Sequence, residues 1–190
     1  EIHGDLIYPG NQFTPMGLLE DELVKNSVIC TAPSKTFNLA GLQTSNIIIP
    51  DIKTRIRFQQ ALKKIGYLGP NPFGMVACRA AYNEGEPWLE TLLLHLDSNL
   101  KLLKKSFSEK IPHIPVIDTQ GTYLIWFDCR ALKLDHLKLR ALMLEKARVF
   151  LDEGYIFGPE GKGFERINIA CPQPVLLEAI DRITKAILTI

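Results

Sequence analysis

Thr31-Ala32-Pro33-Ser34-Lys35-Thr36-Phe37-Asn38-Leu39-Ala40-Gly41-Leu42 is entered from a β-branched run, Ser27-Val28-Ile29-Cys30-Thr31, and leads towards a second, Asn46-Ile47-Ile48-Ile49-Pro50. The first run suits a buried strand that delivers its last residues into a turn, and the second reads as another strand. Between them, the small residues of Lys35 to Leu42 predict a loop able to pass close to a ligand. Lys35, two residues before an aromatic, then stands at the mouth of a sheet among apolar neighbours. Desolvation favours a neutral amine, and a neutral amine attacks an aldehyde to form an imine. The alternative at this point is an ordinary solvated lysine.

Further along, Phe58, Ala61, Leu62 and Ile65 recur at helical spacing with Ile52 and Ile56 beside them, which predicts an amphipathic helix from Asp51 to Ile65. Gly66 to Gly74 is punctuated by glycine and proline and predicts a structured loop. A helix is expected over Met75 to Asn83. A longer one, from Glu86 to about Phe107, carries the stripe Leu89, Leu92, Leu93, Leu96, Leu100, Leu103 and Phe107, and is long enough to link two domains. Ile114 to Asp118 and Thr122 to Asp128 read as paired strands around Gln120-Gly121, Leu137 to Lys146 as a helix, Phe164 to Ala170 as a strand, and Pro174 to Leu188 as a closing helix. Strands interleaved with helices indicate an α/β or α+β architecture. Gly154 to Gly163 lacks the GxxxxGK[ST] order of a phosphate loop and is expected to connect strands.

At 190 residues the chain can bury one good-sized core or two modest ones. With 46% apolar and 23% charged residues and a net charge of +1, its composition is that of a soluble globular protein. Lysines and arginines are scattered among acids, without the basic stripe that nucleic-acid binding requires, so no nucleic-acid partner is expected. No apolar run approaches the roughly 20 residues that span a bilayer, and neither a membrane segment nor a signal peptide is expected. Cys30, Cys78, Cys129 and Cys171 are dispersed and read as buried thiols of a cytoplasmic protein. His3, His95, His113 and His136 show no zinc-ligand spacing, and no metal is expected. The opening Glu1-Ile2-His3, without Met, looks cut from something longer.

The segment from Thr31 to Leu42 resembles the lysine signature of the aspartate aminotransferase superfamily, the fold-type-I enzymes of pyridoxal 5'-phosphate (PLP). Other segments resemble it in the same order: Glu1 to Leu6, Leu68 to Gly74, Tyr123 to Arg130, and Gly163 to Pro172. The closest resemblance is to the branch of cystathionine β-lyases and related carbon–sulfur lyases, of which this chain would be the C-terminal half. The resemblance implies an α/β fold in which residues 1–85 belong to the large PLP-binding domain and residues 86–190 form the small C-terminal domain.

It implies roles as well. Lys35 would be the catalytic residue, forming the Schiff base with PLP and then serving as the base at the substrate Cα. His3 falls where relatives hydrogen-bond the cofactor's phenolic oxygen, and the acid that pairs with the pyridine nitrogen would lie just before Glu1. Arg166 matches the arginine that grips the substrate α-carboxylate, although a protein carboxylate such as Asp128 could occupy it instead. Thr31 and Ser34 would bind the cofactor phosphate through their hydroxyls. Two departures bear on that phosphate: Ala32 stands where many relatives carry serine, and Gln43 where many carry arginine. Glutamine at position 43 occurs in the lyase branch.

The activity implied is a PLP-dependent β-lyase that releases thiol, pyruvate and ammonia from cystathionine or a similar thioether, within a cytoplasmic homodimer when full length. The 190-residue chain alone is expected to be inactive and to bind PLP weakly. Two alternatives are an aminotransferase on the same scaffold and a non-catalytic binding or regulatory module.

Overall fold

Helices and strands are interspersed along residues 1–190, all of which a computed structural model of the chain describes. The order is α1 (Asp21–Lys25), β1 (Ile29–Thr31), α2 (Pro33–Thr36), β2 (Asn46–Ile48), α3 (Ile52–Lys64), α4 (Pro72–Glu84), α5 (Glu86–Lys110), β3 (Leu124–Asp128), α6 (His136–Ala141), β4 (Asp152–Glu153), β5 (Phe164–Asn168) and α7 (Gln173–Ile187). The chain divides into two compact units, Glu1–Leu93 and Leu94–Ile190. No helix is long and apolar enough to cross a membrane.

In the first unit, β1 and β2 pair antiparallel with Cys30 opposite Ile47. The stretch expected as a loop after β1 begins instead with the single helical turn α2, whose first residue is Pro33. Proline suits that position, because its fixed φ is helical and its missing N–H would have had no partner there. A 3-10 turn, Ala40–Leu42, follows, with left-handed residues before and after it at Asn38 (φ 54°) and Gln43 (φ 49°). Asn71 ties this turn to α4: its side-chain amide donates to the Leu42 carbonyl (2.5 Å), while its oxygen accepts from the Gly74 N–H and caps the helix. Any side chain at Gly74 would strike the Thr44 hydroxyl, which accounts for the last glycine of the Gly66–Gly74 loop. The apolar stripe of α3 forms as expected, yet Ile52, Ile56, Phe58 and Ile65 are exposed within this chain.

In the second unit, a three-stranded antiparallel sheet of order β3-β5-β4 is covered on one face. Period-2 alternation sends Ile125, Phe127, Glu165 and Ile167 to the covered face, and Trp126 and Arg166 to the other. The core is filled from α5 by Leu96, Leu100, Leu103 and Phe107, and from α7 by Leu176, Ile180, Ile183 and Ile187, all buried. Phe107 meets Phe127 edge to face, centroids 5.2 Å apart. Buried Asn99 on α5 donates to the carbonyls of Ile169 (2.9 Å) and Cys171 (3.0 Å), securing the chain just beyond β5.

Three sequence expectations are corrected. Ile114 to Asp118 is no full strand: Pro115 lies within it, Pro112 just before it, and it touches β3 through one bridge, Val116 to Phe127. The helix from 137 to 146 changes character, with α6 giving way to a π-helical turn over Leu142–Lys146. Of the cysteines, only Cys129 is buried, whereas Cys30 is exposed, because its side chain lies on the open face of the two-stranded sheet.

Candidate active site

β1 ends at Thr31, extended Ala32 follows, and α2 then lifts Lys35 onto the turn at the strand's end. Lys35 is half-buried between buried Pro33 and Thr36. It takes part in none of the chain's ion pairs. Thr36, with 0% exposure, donates its hydroxyl to Asp5 (2.8 Å) and so fastens the lysine turn to the turn that contains His3. His3 is half-buried, and its carbonyl accepts from the Leu6 N–H (2.9 Å). The first unit thus brings the His3 and Lys35 turns together across 31 positions of sequence.

Thr31 and Ser34 flank the same turn, both half-buried. The Thr31 oxygen accepts from the Asn46 side chain (3.3 Å), which leaves the threonine's own proton available for donation. Behind Lys35, Phe37 packs edge-on against Tyr82 (5.5 Å) and at a tilt against Trp88 (6.0 Å). Burial, with Asp5 and Cys78 nearby, pushes the Tyr82 phenol above its usual range. Asp5, Tyr82 and Trp88 as supports of the lysine turn were not evident from sequence, because nothing periodic links residues so far apart.

Arg166 lies on the open face of the second unit's sheet, in register with Trp126 on β3 and Asp152 on β4. Its Nε (3.1 Å) and Nη2 (2.8 Å) both donate to Asp152 Oδ2. The guanidinium sits over the Phe157 ring at 4.4 Å and 5.9 Å from that of Trp126, and the two rings are themselves perpendicular neighbours. Asp128, the carboxylate considered from sequence as an Arg166 partner, instead receives Arg130 through Nε, Nη2 and the backbone N–H. That bonding holds the Asp128 carboxyl below its usual range. The register decides it: Asp128 shares the open face but stands opposite Phe164, whereas Asp152 of β4 stands directly opposite Arg166. Gly154 and Gly161 face each other so closely that a Cβ on either would strike the other's backbone, and this tight double turn carries Phe157 to the arginine.

One residue away, the alternation turns Glu165 into the core, 2% exposed and directly opposite Glu153. Glu153 is bridged to Arg140 (2.8 Å), but one oxygen of each glutamate is buried without a partner. Burial first, then Glu153 and Asp152, push the Glu165 carboxyl up to about 8. The folded chain therefore holds a proton that the unfolded chain, with an ordinary carboxyl near 4.5, releases. Stability from this group is full below the unfolded value, falls as pH rises towards about 8, and is flat beyond it. Glu165→Gln, which cannot ionise and offers a donor towards Glu153, is expected to raise Tm above wild type at pH 8.5 while matching it near pH 5. Thermal melts of both proteins across that range check this; parallel curves would refute a protonated Glu165.

The first unit thus presents an unpaired amine flanked by hydroxyls, and the second a guanidinium between aromatic faces with one edge occupied. Such groups suit an aldehyde-bearing, phosphorylated ligand and a carboxylate respectively.

No family model matches the chain. It is 40% identical over 187 residues to cystathionine β-lyase PatB of Bacillus subtilis, an alignment covering 98% of this chain and 48% of PatB. It is 31% identical to the protein MalY of Escherichia coli, covering 98% and 47%. Among solved structures, cystalysin from Treponema denticola, which contains a pyridoxal 5'-phosphate cofactor, superposes with a TM-score of 0.96 at 41% identity, covering all of this chain and 48% of cystalysin. The chain spans about half the length of the relatives it matches. In sequence and fold the chain is similar to the C-terminal half of carbon–sulfur lyases of the fold-type-I superfamily of PLP enzymes.

Proposed function

We propose that this chain supplies the cofactor lysine and the substrate-carboxylate arginine of a PLP-dependent carbon–sulfur β-lyase, which converts a cysteine-type thioether and water to a thiol, pyruvate and ammonia. The observation that carries this reading is Lys35, a half-buried amine without a carboxylate partner on the turn that ends β1. Similarity to PatB and cystalysin supports the lyase over an aminotransferase. The residues fit the cofactor: Lys35 faces no competing ion pair, and the Thr31 hydroxyl keeps a proton to donate to a phosphate, as Ser34 can also do.

When bound, PLP supplies an electron sink for the charge left at the substrate Cα. Lys35 Nζ would hold the cofactor through its aldehyde and would serve as the base for the substrate Cα proton. Arg166 would grip the substrate α-carboxylate. His3, on the turn that the Thr36–Asp5 hydrogen bond fastens to the lysine turn, would hold the cofactor's phenolic oxygen. Ala32 and Gln43 leave the phosphate to fewer side-chain donors. The working enzyme on this reading is a cytoplasmic homodimer of chains at the length of the relatives, with the Asn71–Gly74 segment contributing at the subunit boundary. The 190 residues alone bind PLP weakly and lack turnover.

The test uses the protein at the length of its relatives. Borohydride reduction in the presence of PLP is expected to leave a pyridoxyl group on Lys35, located by mass spectrometry, and L-cystathionine is expected to yield pyruvate without any added 2-oxo acid. Product formation only with a 2-oxo acid present would make it an aminotransferase, and an unmodified Lys35 would end the enzymatic reading.

A further inference from the structure

The bonding of Arg166 is one-sided. Asp152 takes both of its bonds from the Nε and Nη2 edge, and through a single oxygen, while Nη1 donates to no acceptor in the chain. A guanidinium has two edges able to grip a carboxylate with two parallel bonds. Asp152 occupies one, and the Nη1/Nη2 end is left. The ring of Phe157, 4.4 Å from the guanidinium carbon, and that of Trp126 limit how the plane can turn. Asp152 and Phe157 reach Arg166 from one short segment, β4 and the double turn that follows it.

We propose that Asp152 is a specificity-determining positioning residue: by holding the Nε/Nη2 edge it aims the Nη1/Nη2 end of Arg166 at the ligand and selects substrates that carry an α-carboxylate. This rests on the reading of Arg166 as the carboxylate site. The rival arrangement, in which Asp152 competes with the substrate carboxylate and is displaced by it, predicts the opposite sign. A positioner lowers KM for carboxylate substrates, and a competitor raises it.

Steady-state kinetics of the protein at the length of its relatives, with S-ethyl-L-cysteine and S-ethyl-L-cysteinamide, separate these cases. Asp152→Ala is expected to raise KM for the carboxylate substrate by on the order of tenfold, a misplacement effect, with kcat changed by less than about twofold. It leaves KM for the carboxamide unchanged. Asp152→Asn, which preserves shape and one acceptor, is expected to fall between Asp152→Ala and wild type, and serves alone should the alanine variant not fold. A KM that falls or stays level, or an equal loss with both substrates, overturns the proposal. Arg166→Gln separates the layers of argument: if it abolishes the preference for the carboxylate while Asp152→Ala does nothing, only the role of Asp152 fails. If it leaves that preference intact, the carboxylate reading of Arg166 and the proposal built on it fail together.

Discussion

Lys35→Ala, made in the protein at the length of its relatives, is expected to lower kcat for thioether cleavage by roughly 10³- to 10⁴-fold, the upper range for a positioned acid–base group. The variant removes the only amine on the turn that ends β1, and with it, on the proposed function, both the attachment point for the cofactor and the acceptor of the Cα proton. Lys35→Arg is expected to be as inactive, since a guanidinium keeps its proton and cannot accept another. Neither change disturbs an ion pair, and Thr36 with Asp5 still fastens the turn, so urea denaturation is expected to give wild-type midpoints. A primary amine such as ethylamine added to Lys35→Ala is expected to restore part of the rate, an effect that loss of fold would not permit. Retention of a tenth or more of wild-type turnover by Lys35→Ala would remove the lysine from the mechanism.

Phe107→Ala is expected to cost about 3–5 kcal/mol of stability, the usual range for deleting a buried ring. Phe107 is 1% exposed and stands edge to face on Phe127, within a core that includes Leu103, Ile111, Ile125 and Ile183. Its removal leaves a cavity beneath β3, the strand whose other face carries Trp126 beside Arg166. Urea melts are expected to show a lower midpoint at an unchanged slope. A cycle with Phe127→Ala should recover a coupling of about 0.5–1.5 kcal/mol for the ring pair beyond the area each buries. A loss below about 1 kcal/mol would mean that the site collapses around the missing ring.

Much of this was legible from residue order alone. The stripe from Leu96 through Phe107 announces a helix because four apolar residues at 3.6-residue spacing can be buried only along one side of one. Thr31 to Leu42 marks the lysine turn because a β-branched strand running into Pro-Ser-Lys has to stop there, although the stop proved to be one helical turn and not open loop. Arg166 could be recognised as an arginine in a strand, but its partner could not. Asp128 and Asp152 are equivalent candidates until the register of β4 against β5 is known, and a two-residue strand leaves no periodic trace. The same register sends Glu165 inward to face Glu153, although a glutamate in a sequence is by default a surface residue. The tie between Asp5 and Thr36 likewise joins two segments with no local signal of each other. What the sequence by itself determined is the longer elements and the candidate reactive groups, because local periodicity and side-chain chemistry are properties of neighbouring residues. Which carboxylate holds Arg166 and which glutamate turns inward were decided only by tertiary structure, because each depends on pairing between distant strands, where a shift of one residue exchanges the two faces, and the turn that stands beside Lys35 was decided by a hydrogen bond between segments 31 residues apart.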